Sequence, residues 1–584
     1  MTDSKQPDSP PTDRWDQQLD GKEVTGAEML IESLIREDVD LLFGYPGGVV
    51  LSIFDNLYKQ SKRIKVVLPR HEQAGTHAAD GYARSTGKVG VSLVTSGPAA
   101  TNTVTALATA QMDSVPIVVL TGQVSSGLIG SDAFQETDAI GVTRPVVKHS
   151  FMIKETADVP SIIRQAFHIA STGRPGPVVV DLPKDVMTDS AVFEWPGTPD
   201  IRGYRPNTGA GDPEDVAALV EAINSSERPY LYLGGGIVIS DAQDEVTQLA
   251  HKANIPVTTT LMGLGGFDGT DPLFVGMPGM HGSKAANLCF QESDLVVSIG
   301  SRFDDRVTGR LDRFAPKAKF GHVDVDPSSV KKIVEVDYPV IGDAKKVLKA
   351  LLPLVKERAK SEWNEQVDEW RGETLFPYPP SKDVIRPQYV VEQIYELTKD
   401  RDAYICTEVG QHQMWSAQYY RFAKPRRWAS SGGLGTMGYG FPAAIGVQLA
   451  HPDALVIDIA GDASIQMNIQ ELATVVENRL PVKVVILNNN FQGMVRQWQE
   501  LFFDKRYAST NMGGMPDFAA VAEAYGAKGL TAGDPGEVTS VLEEGFAHDG
   551  PVFFNFHVNQ EENVYPMVPA GAALDEMLDP GEMA

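Results

Sequence analysis

Cysteine is scarce: the 584 residues contain two, Cys289 and Cys406. Two widely separated cysteines exclude a disulfide framework and supply no CxxC metal pair. A reducing cytoplasm is therefore the expected setting. No run of about 18 apolar residues occurs, so no membrane-spanning helix is expected. Positive charge is also short, with 51 Lys and Arg against 77 Asp and Glu and a formal net charge of −26. That excess disfavours nucleic acid and anionic membranes as partners. It reads either as a surface for a high-salt cytoplasm, where salt screens self-repulsion, or as an ordinary acidic surface. The opening residues "MTDSKQPDSPPTDRWDQQLDGK" lack the apolar core of a signal peptide, and 1–21 are expected to form a disordered acidic tail.

What the chain has in quantity is short apolar runs alternating with helix-length segments. "PIVVLTG" (116–122), "GPVVVDLP" (176–183), "DLVVSIGS" (294–301), "ALVIDIAGDAS" (454–464) and "VKVVILNNN" (482–490) are continuous rather than alternating. Such strands are buried on both faces, which predicts α/β architecture with parallel sheets covered by helices. Pro- and charge-rich stretches at 194–215 and 371–388 mark boundaries. Three doubly wound parallel-sheet domains are expected, at 22–192, 193–372 and 373–565. The last residues, 566–584, read as a surface tail that could be ordered only in a complex.

Several strand ends carry chemistry. "RHEQAGTHAADGYAR" (70–84) follows the run "IKVVLP" and puts Glu72 where a strand turns into a helix. The ordinary account of Glu72 is a helix N-terminal acid that satisfies the dipole. Strand 454–459 runs into Gly461-Asp462-Ala463, and strand 482–487 into Asn488-Asn489-Asn490, with a helix-like segment between them. One strand–helix–strand crossover puts both polar ends on the same sheet edge. A carboxylate, an amide oxygen and a free backbone carbonyl at these strand ends make a hard oxygen set of the kind Mg²⁺ prefers when a diphosphate supplies the other ligands. Two ordinary strand-to-helix turns are the alternative. "TEVGQHQMW" (407–415) and "GGLGTMGYGFPAAIG" (432–446) are further loops of the same unit, the second with glycines that let backbone approach a ligand.

Together, "YPGG", "LPRHEQAGTHAADGYAR", "TSGPAATN", "DAFQETD", "GRPGPVVVDLPKD", "SRFDDRVTG", "EVGQHQMW", "GLGTMGYG" and "NNNFQGMVRQWQ" resemble acetohydroxyacid synthases, within the thiamin-diphosphate enzymes. The likeness runs from about residue 22 to 565. The chain departs at Ala463, where the thiamin motif usually has Gly; Ala suffices there if φ is negative. It also departs at "GQVSSGLIG" (122–130).

The resemblance implies a pyrimidine-binding first domain, a central FAD-binding domain and a diphosphate-binding third domain. It implies three cofactors: thiamin diphosphate, Mg²⁺ and FAD. Glu72 is the implied catalytic acid, contacting N1′ of the aminopyrimidine. Implied thiamin contacts are Val409, Gly410, Gln411 and His412 on one loop, Gly435 and Met437 on the next, and Asp462, Ala463 and Ser464. Asn489, Gly493 and Met494 complete that set, with Asp462, Asn489 and Phe491 on the metal. For FAD the implied contacts are Arg174, then Gly234 and Gly235, then Thr260, Leu261 and Met262. Met280, His281, Gly300, Arg302, Asp324, Asp326 and Asp343 follow. Gly47, Gln135, Lys184, Arg306 and Trp498 are implied at the substrate.

The implied reaction decarboxylates pyruvate and joins the two-carbon remainder to a second 2-keto acid. Pyruvate as acceptor gives 2-acetolactate and 2-ketobutyrate gives 2-aceto-2-hydroxybutyrate, toward valine, leucine and isoleucine. The implied assembly is a homodimer or dimer of dimers, the site shared between chains, with a separate small regulatory subunit. A flavin-using pyruvate oxidase of the same fold is the enzyme alternative. A non-catalytic structural paralogue is the other, against which the joint presence of Glu72, Asp462 and Asn489 speaks.

Overall fold

The computed structural model describes residues 19–579. The expected tail over 1–21 therefore lies almost wholly outside the described residues. Among the described residues no helix is long and apolar enough to cross a membrane.

The chain forms two compact units. The first comprises the N-terminal residues to Pro206 together with Ile445–Ala450 and Gln470–Asn478. Its centre is a six-stranded sheet ordered Lys65–Val67, Leu41–Tyr45, Gly90–Val94, Ile117–Gln123, Val178–Pro183, His149–Met152. Every pairing is parallel. Ile117–Gln123 and Val178–Pro183 are buried at every position, as continuous apolar strands between two helical layers must be. Helix Glu72–Thr86 lies against this sheet and ends at Gly87, whose φ of 77° closes it. Gly90 allows the close approach, because a Cβ there would meet the Ala79 carbonyl oxygen at 2.0 Å. Phe193 is buried in the same core, with Trp195, Ile201 and Tyr204 packed against it. The expected first boundary, at 192/193, falls inside this packed stretch.

The second unit holds two sheets. One has five parallel strands, ordered Val257–Thr259, Pro229–Leu233, Leu295–Ile299, Lys319–Asp324, Tyr338–Ile341. The other has six, ordered Trp428–Ala429, Ala403–Thr407, Leu455–Gly461, Lys483–Asn488, Val552–His557, Lys528–Ala532. It too is parallel throughout. The expected three parallel-sheet α/β domains are present.

The surface tail expected from residue 566 is corrected for its described part. Val568 and Leu574 are buried in a cluster with Tyr230, Tyr232, Phe290 and Phe303, and Ala573 is buried as well. The Val568 N–H donates to the Met280 carbonyl at 2.8 Å, and the Arg310 N–H to that of Ala572 at 3.1 Å. The segment lacks periodicity because it is a strap of turns that folds back to pair Met567 with Leu578; its apolar residues fill a slot built by distant parts of the chain.

Candidate active site

Parallel pairing sets the diphosphate end of the site. Gly461 lies opposite Leu487 in adjacent strands, so Asp462 and Asn488 both emerge on the carboxyl edge. Asp462 opens the short helix Asp462–Ile465. Its carboxyl is met by its own N–H and that of Asn489, while Oδ2 has no partner. Burial lifts this acid to about 7. An orphaned buried carboxylate is costly unless a cation or proton completes it. Ala463 is not among the positive-φ residues, so the departure from Gly carries no backbone strain.

Asn489 is buried, and its Oδ1 accepts the Phe491 N–H at 3.0 Å. Its Nδ2 donates to Gln411 Oε1 at 3.3 Å, and Gln411 Nε2 donates to Gln497 and to the Glu562 carbonyl, both at 2.9 Å. This chain of amides fixes which way the Asn489 oxygen faces. A Cβ on Gly493 would meet Gln411 Oε1 at 2.1 Å and Asn489 Nδ2 at 2.7 Å, so a larger residue there would push these amides aside. His412 is buried with Nε2 unpartnered, and burial lowers it to about 3, so it is a neutral imidazole. Ser464 closes the turn, its hydroxyl accepting the Gly461 N–H at 3.2 Å.

A narrow pocket of about 70 Å³ brings together eleven of the twelve thiamin candidates and Phe491. The twelfth, Gly435, lines an adjoining cleft of about 420 Å³ that shares Val409, Gly410 and Met494 with the pocket. Among the described residues no cluster of three or more His, Cys, Asp or Glu could hold a metal. One acid, one amide oxygen and one carbonyl suit a hard cation whose remaining ligands are phosphate oxygens.

Nine of the thirteen FAD candidates line the larger cleft: Gly234, Gly235, Thr260, Leu261, Met262, and then Met280, His281, Gly300 and Arg302. The cradle is backbone: Gly300 has φ 63°, and a Cβ there would meet Gly236 Cα at 2.5 Å. The two strand-end turns thus lie flat and leave room for a ligand above them. His281 is buried with Nδ1 unpartnered, and burial lowers it to about 4. Glycine backbone at two strand ends, apolar side chains and Arg302 fit a dinucleotide, with its phosphates on the backbone and a ring on the apolar wall. The cleft does not include Asp324, Asp326 and Asp343. Asp324 accepts the Asp326 N–H at 2.8 Å, Asp326 holds Ser328 N–H at 2.9 Å, and Asp343 caps helix Ala344–Leu351. Arg174, in the N-terminal unit, donates from Nε to Ser114 Oγ at 2.8 Å.

Arg306 and Trp498 also line the large cleft. Trp498 lies on helix Gly493–Phe502, 5.2 Å from Phe502 ring to ring, which makes it a wall of the cleft rather than a core residue. The other substrate candidates are in the N-terminal unit. Gly47 abuts Thr95, where a Cβ would meet Cγ2 at 2.4 Å. Gln135 has φ 59° and packs by its backbone on Gly97. Lys184 is exposed and opens helix Lys184–Thr188.

Glu72 is the first residue of its helix and is half-buried. Its Oε2 accepts a hydrogen bond from Asn102 Nδ2 at 2.9 Å. Asn102 was not singled out from the sequence, although "SGPAATN" holds it; the signal was a second polar side chain at the same sheet edge. Glu408 and Asp458, both wholly buried, were also missed.

Three models of the thiamine pyrophosphate enzymes match the chain: the N-terminal TPP binding domain over 24–142, the central domain over 216–351 and the C-terminal TPP binding domain over 408–556. The chain is 48% identical over 566 residues to the acetolactate synthase large subunit of Haemophilus influenzae, covering 95% of this chain and 98% of that one. It is 46% identical to the acetolactate synthase isozyme 3 large subunit of Escherichia coli, over 95% and 98% of the two chains. To the acetolactate synthase of Mycobacterium leprae it is 45% identical, over 95% and 90%.

Proposed function

The chain belongs to the acetolactate synthase large subunits, which are thiamine pyrophosphate enzymes, and we propose that it makes 2-acetolactate from two pyruvates and 2-aceto-2-hydroxybutyrate when 2-ketobutyrate is the acceptor. The observation that carries this reading is the Asp462 carboxyl: buried, orphaned at Oδ2, and beside Asn489 at adjoining strand ends.

Thiamin diphosphate bound here would supply a carbon that is nucleophilic once deprotonated and, in its cationic ring, an electron sink for decarboxylation of a 2-keto acid. The protein's own groups do the rest. Asp462, the Asn489 oxygen and the Phe491 carbonyl would hold Mg²⁺, and the cation would offset the diphosphate charge. Glu72 holds a proton at N1′ of the pyrimidine, with Asn102 aiming its carboxylate. Met437, which lines the narrow pocket, would pack against the bound cofactor. Neutral His412 offers a hydrogen-bonding group without adding charge. Arg306 pairs with the keto-acid carboxylate, and Trp498 walls the acceptor.

FAD fits the glycine-lined cleft of the central sheet and serves a structural part, because the proposed reaction has no net redox change. The pyrimidine and diphosphate ends are completed between two chains of a dimer or dimer of dimers. A small regulatory subunit accompanies this large one, as the relatives' names imply for them.

Purified protein with thiamin diphosphate, Mg²⁺, FAD and pyruvate is expected to form acetolactate in a colour assay, anaerobically and without oxygen uptake. Acetate formation with stoichiometric oxygen uptake would replace this reading with the pyruvate oxidase one.

A further inference from the structure

Glu408 follows strand Ala403–Thr407 and is fully buried. Its Oε2 accepts the Gly438 N–H at 2.5 Å and its Oε1 the Phe441 N–H at 3.1 Å. The N–H groups of Tyr439 and Gly440 point at the same carboxyl. One side chain therefore gathers four consecutive backbone donors, where a glycine-rich loop runs into helix Gly440–Ala450. The same turn is gripped from its other side, since Asn468 Nδ2 donates to the Gly438 carbonyl at 2.6 Å. Gly438, at φ 88°, leaves no space there: a Cβ would meet Met467 Cβ at 2.7 Å. Gly435 and Met437, which face the cleft and the narrow pocket, are borne by this loop.

Beside Glu408 lies a second buried acid. Asp458 is wholly buried and neither oxygen has a hydrogen-bond partner. A Cβ on Gly440 would meet Asp458 Oδ1 at 2.3 Å and the Glu408 backbone nitrogen at 2.4 Å, so Gly440 lets the helix start directly on the pair. Two adjacent buried carboxyls cannot both be charged. The four N–H donors favour the anion on Glu408, and nothing does so on Asp458. Burial lifts both acids, and the Glu408 carboxyl beside it lifts Asp458 as well. Asp458 is therefore the neutral member.

We propose that Glu408 is a positioning residue: as an anion kept single by a protonated Asp458, it clamps the turn Gly438–Phe441 and so presets the Gly435–Met437 loop for the cofactor. The inference rests on the thiamin-diphosphate reading of that loop. No atom of Glu408 needs to touch the cofactor. Its effect is to remove the cost of ordering the loop at the moment of binding.

Two experiments test it on the full-length protein. In the cofactor-free parent, hydrogen exchange resolved over 432–441 is expected to show the Gly438–Phe441 amides as protected as those of strand Leu455–Gly461. Exchange at loop rates would overturn the clamp, whatever ligand the site takes. The second is a thiamin diphosphate titration with Mg²⁺, followed by intrinsic fluorescence. Glu408→Gln replaces one acceptor oxygen by an NH₂ facing N–H donors. It is expected to raise half-saturation roughly tenfold or more, the loss of a charged hydrogen bond, with a smaller change in kcat once saturated. Asp458→Asn, isosteric with a neutral acid, is expected to saturate like the parent. Equal half-saturation in parent and Glu408→Gln, or an equal rise in Asp458→Asn, would overturn the inference. A parent that does not bind thiamin diphosphate at all would instead overturn the reading it rests on. If Glu408→Gln does not fold, the exchange experiment on the parent still decides.

Discussion

Asn102 reaches Glu72 across the N-terminal sheet edge, its Nδ2 donating to Oε2 at 2.9 Å. The contact leaves Oε1 for another partner and fixes the carboxylate plane. Glu72→Gln is expected to slow exchange of the cofactor C2 proton by roughly 10²-fold or more, as when a placed proton-transfer partner is lost. NMR after acid quench reads that exchange. Asn102→Ala should give a smaller loss, about tenfold, because it removes aim rather than the acid. Parental exchange in Glu72→Gln would take Glu72 out of this role.

Asp462→Ala should abolish Mg²⁺-dependent cofactor binding, because the diphosphate charge is left under-neutralised. Titration of activity with thiamin diphosphate should show a large rise in half-saturation, with the fold intact by far-UV circular dichroism. A variant that saturates like the parent would mean that the turn is only structural.

The same carboxyl predicts a pH dependence. Burial raises Asp462 to about 7 in the cofactor-free protein, from an ordinary 3.8. A raised acid is protonated below its folded value, so its stabilising contribution to the cation-free fold is lost as pH rises from about 4 through about 7. Proton and cation compete for the same oxygens. Half-saturating Mg²⁺ should therefore rise as pH falls below about 7, approaching tenfold per pH unit. Calorimetric titration on either side of neutrality checks this; a flat profile would contradict it.

Trp498 lines the large cleft against Phe502. One added methylene in an apolar pocket is worth about 1–3 kcal/mol. Trp498→Leu should erase most of the preference for 2-ketobutyrate over pyruvate while acetolactate formation largely persists. Competition with both keto acids, read as the product ratio, is the measurement. An unaltered ratio would leave Trp498 as packing.

Gly300→Ala should damage the central domain. The added Cβ meets Gly236 Cα at 2.5 Å at a residue with φ 63°. Strain and overpacking together cost roughly 2–6 kcal/mol. A lower melting temperature and reduced FAD content after purification are expected, read by calorimetry and by flavin absorbance.

The strand ends were legible because they rest on local signals. Continuous runs such as "VVVDLP" can be buried only in a covered parallel sheet, and the polar residue after each run then falls on the carboxyl edge. Glu72, Asp462 and Asn489 were found that way. The acids of "HVDVDP" and Asp343 share that edge, but the large cleft does not include them, because they close their own turns and cap a helix. A motif shows that an acid lies at a strand end; only neighbouring N–H groups show what it accepts from.

The sequence by itself determined the α/β class, the parallel sheets and the edge that bears the site, since burial on two faces writes itself as runs along the chain. Tertiary structure alone decided the partners. Glu408 and Asp458 stand 50 positions apart, and nothing in "TEVG" or "VIDIAG" announces that they lie buried together under Gly440. The strap at Val568–Leu574 found its slot among residues 230–320, a match of shape and apolar surface with no local periodicity. The orphaned oxygen of Asp462 appeared only once Asn489 and its own turn had taken the other. Charge and hydrogen-bond states of buried groups depend on which donors the fold delivers, and those come from segments far apart in the chain.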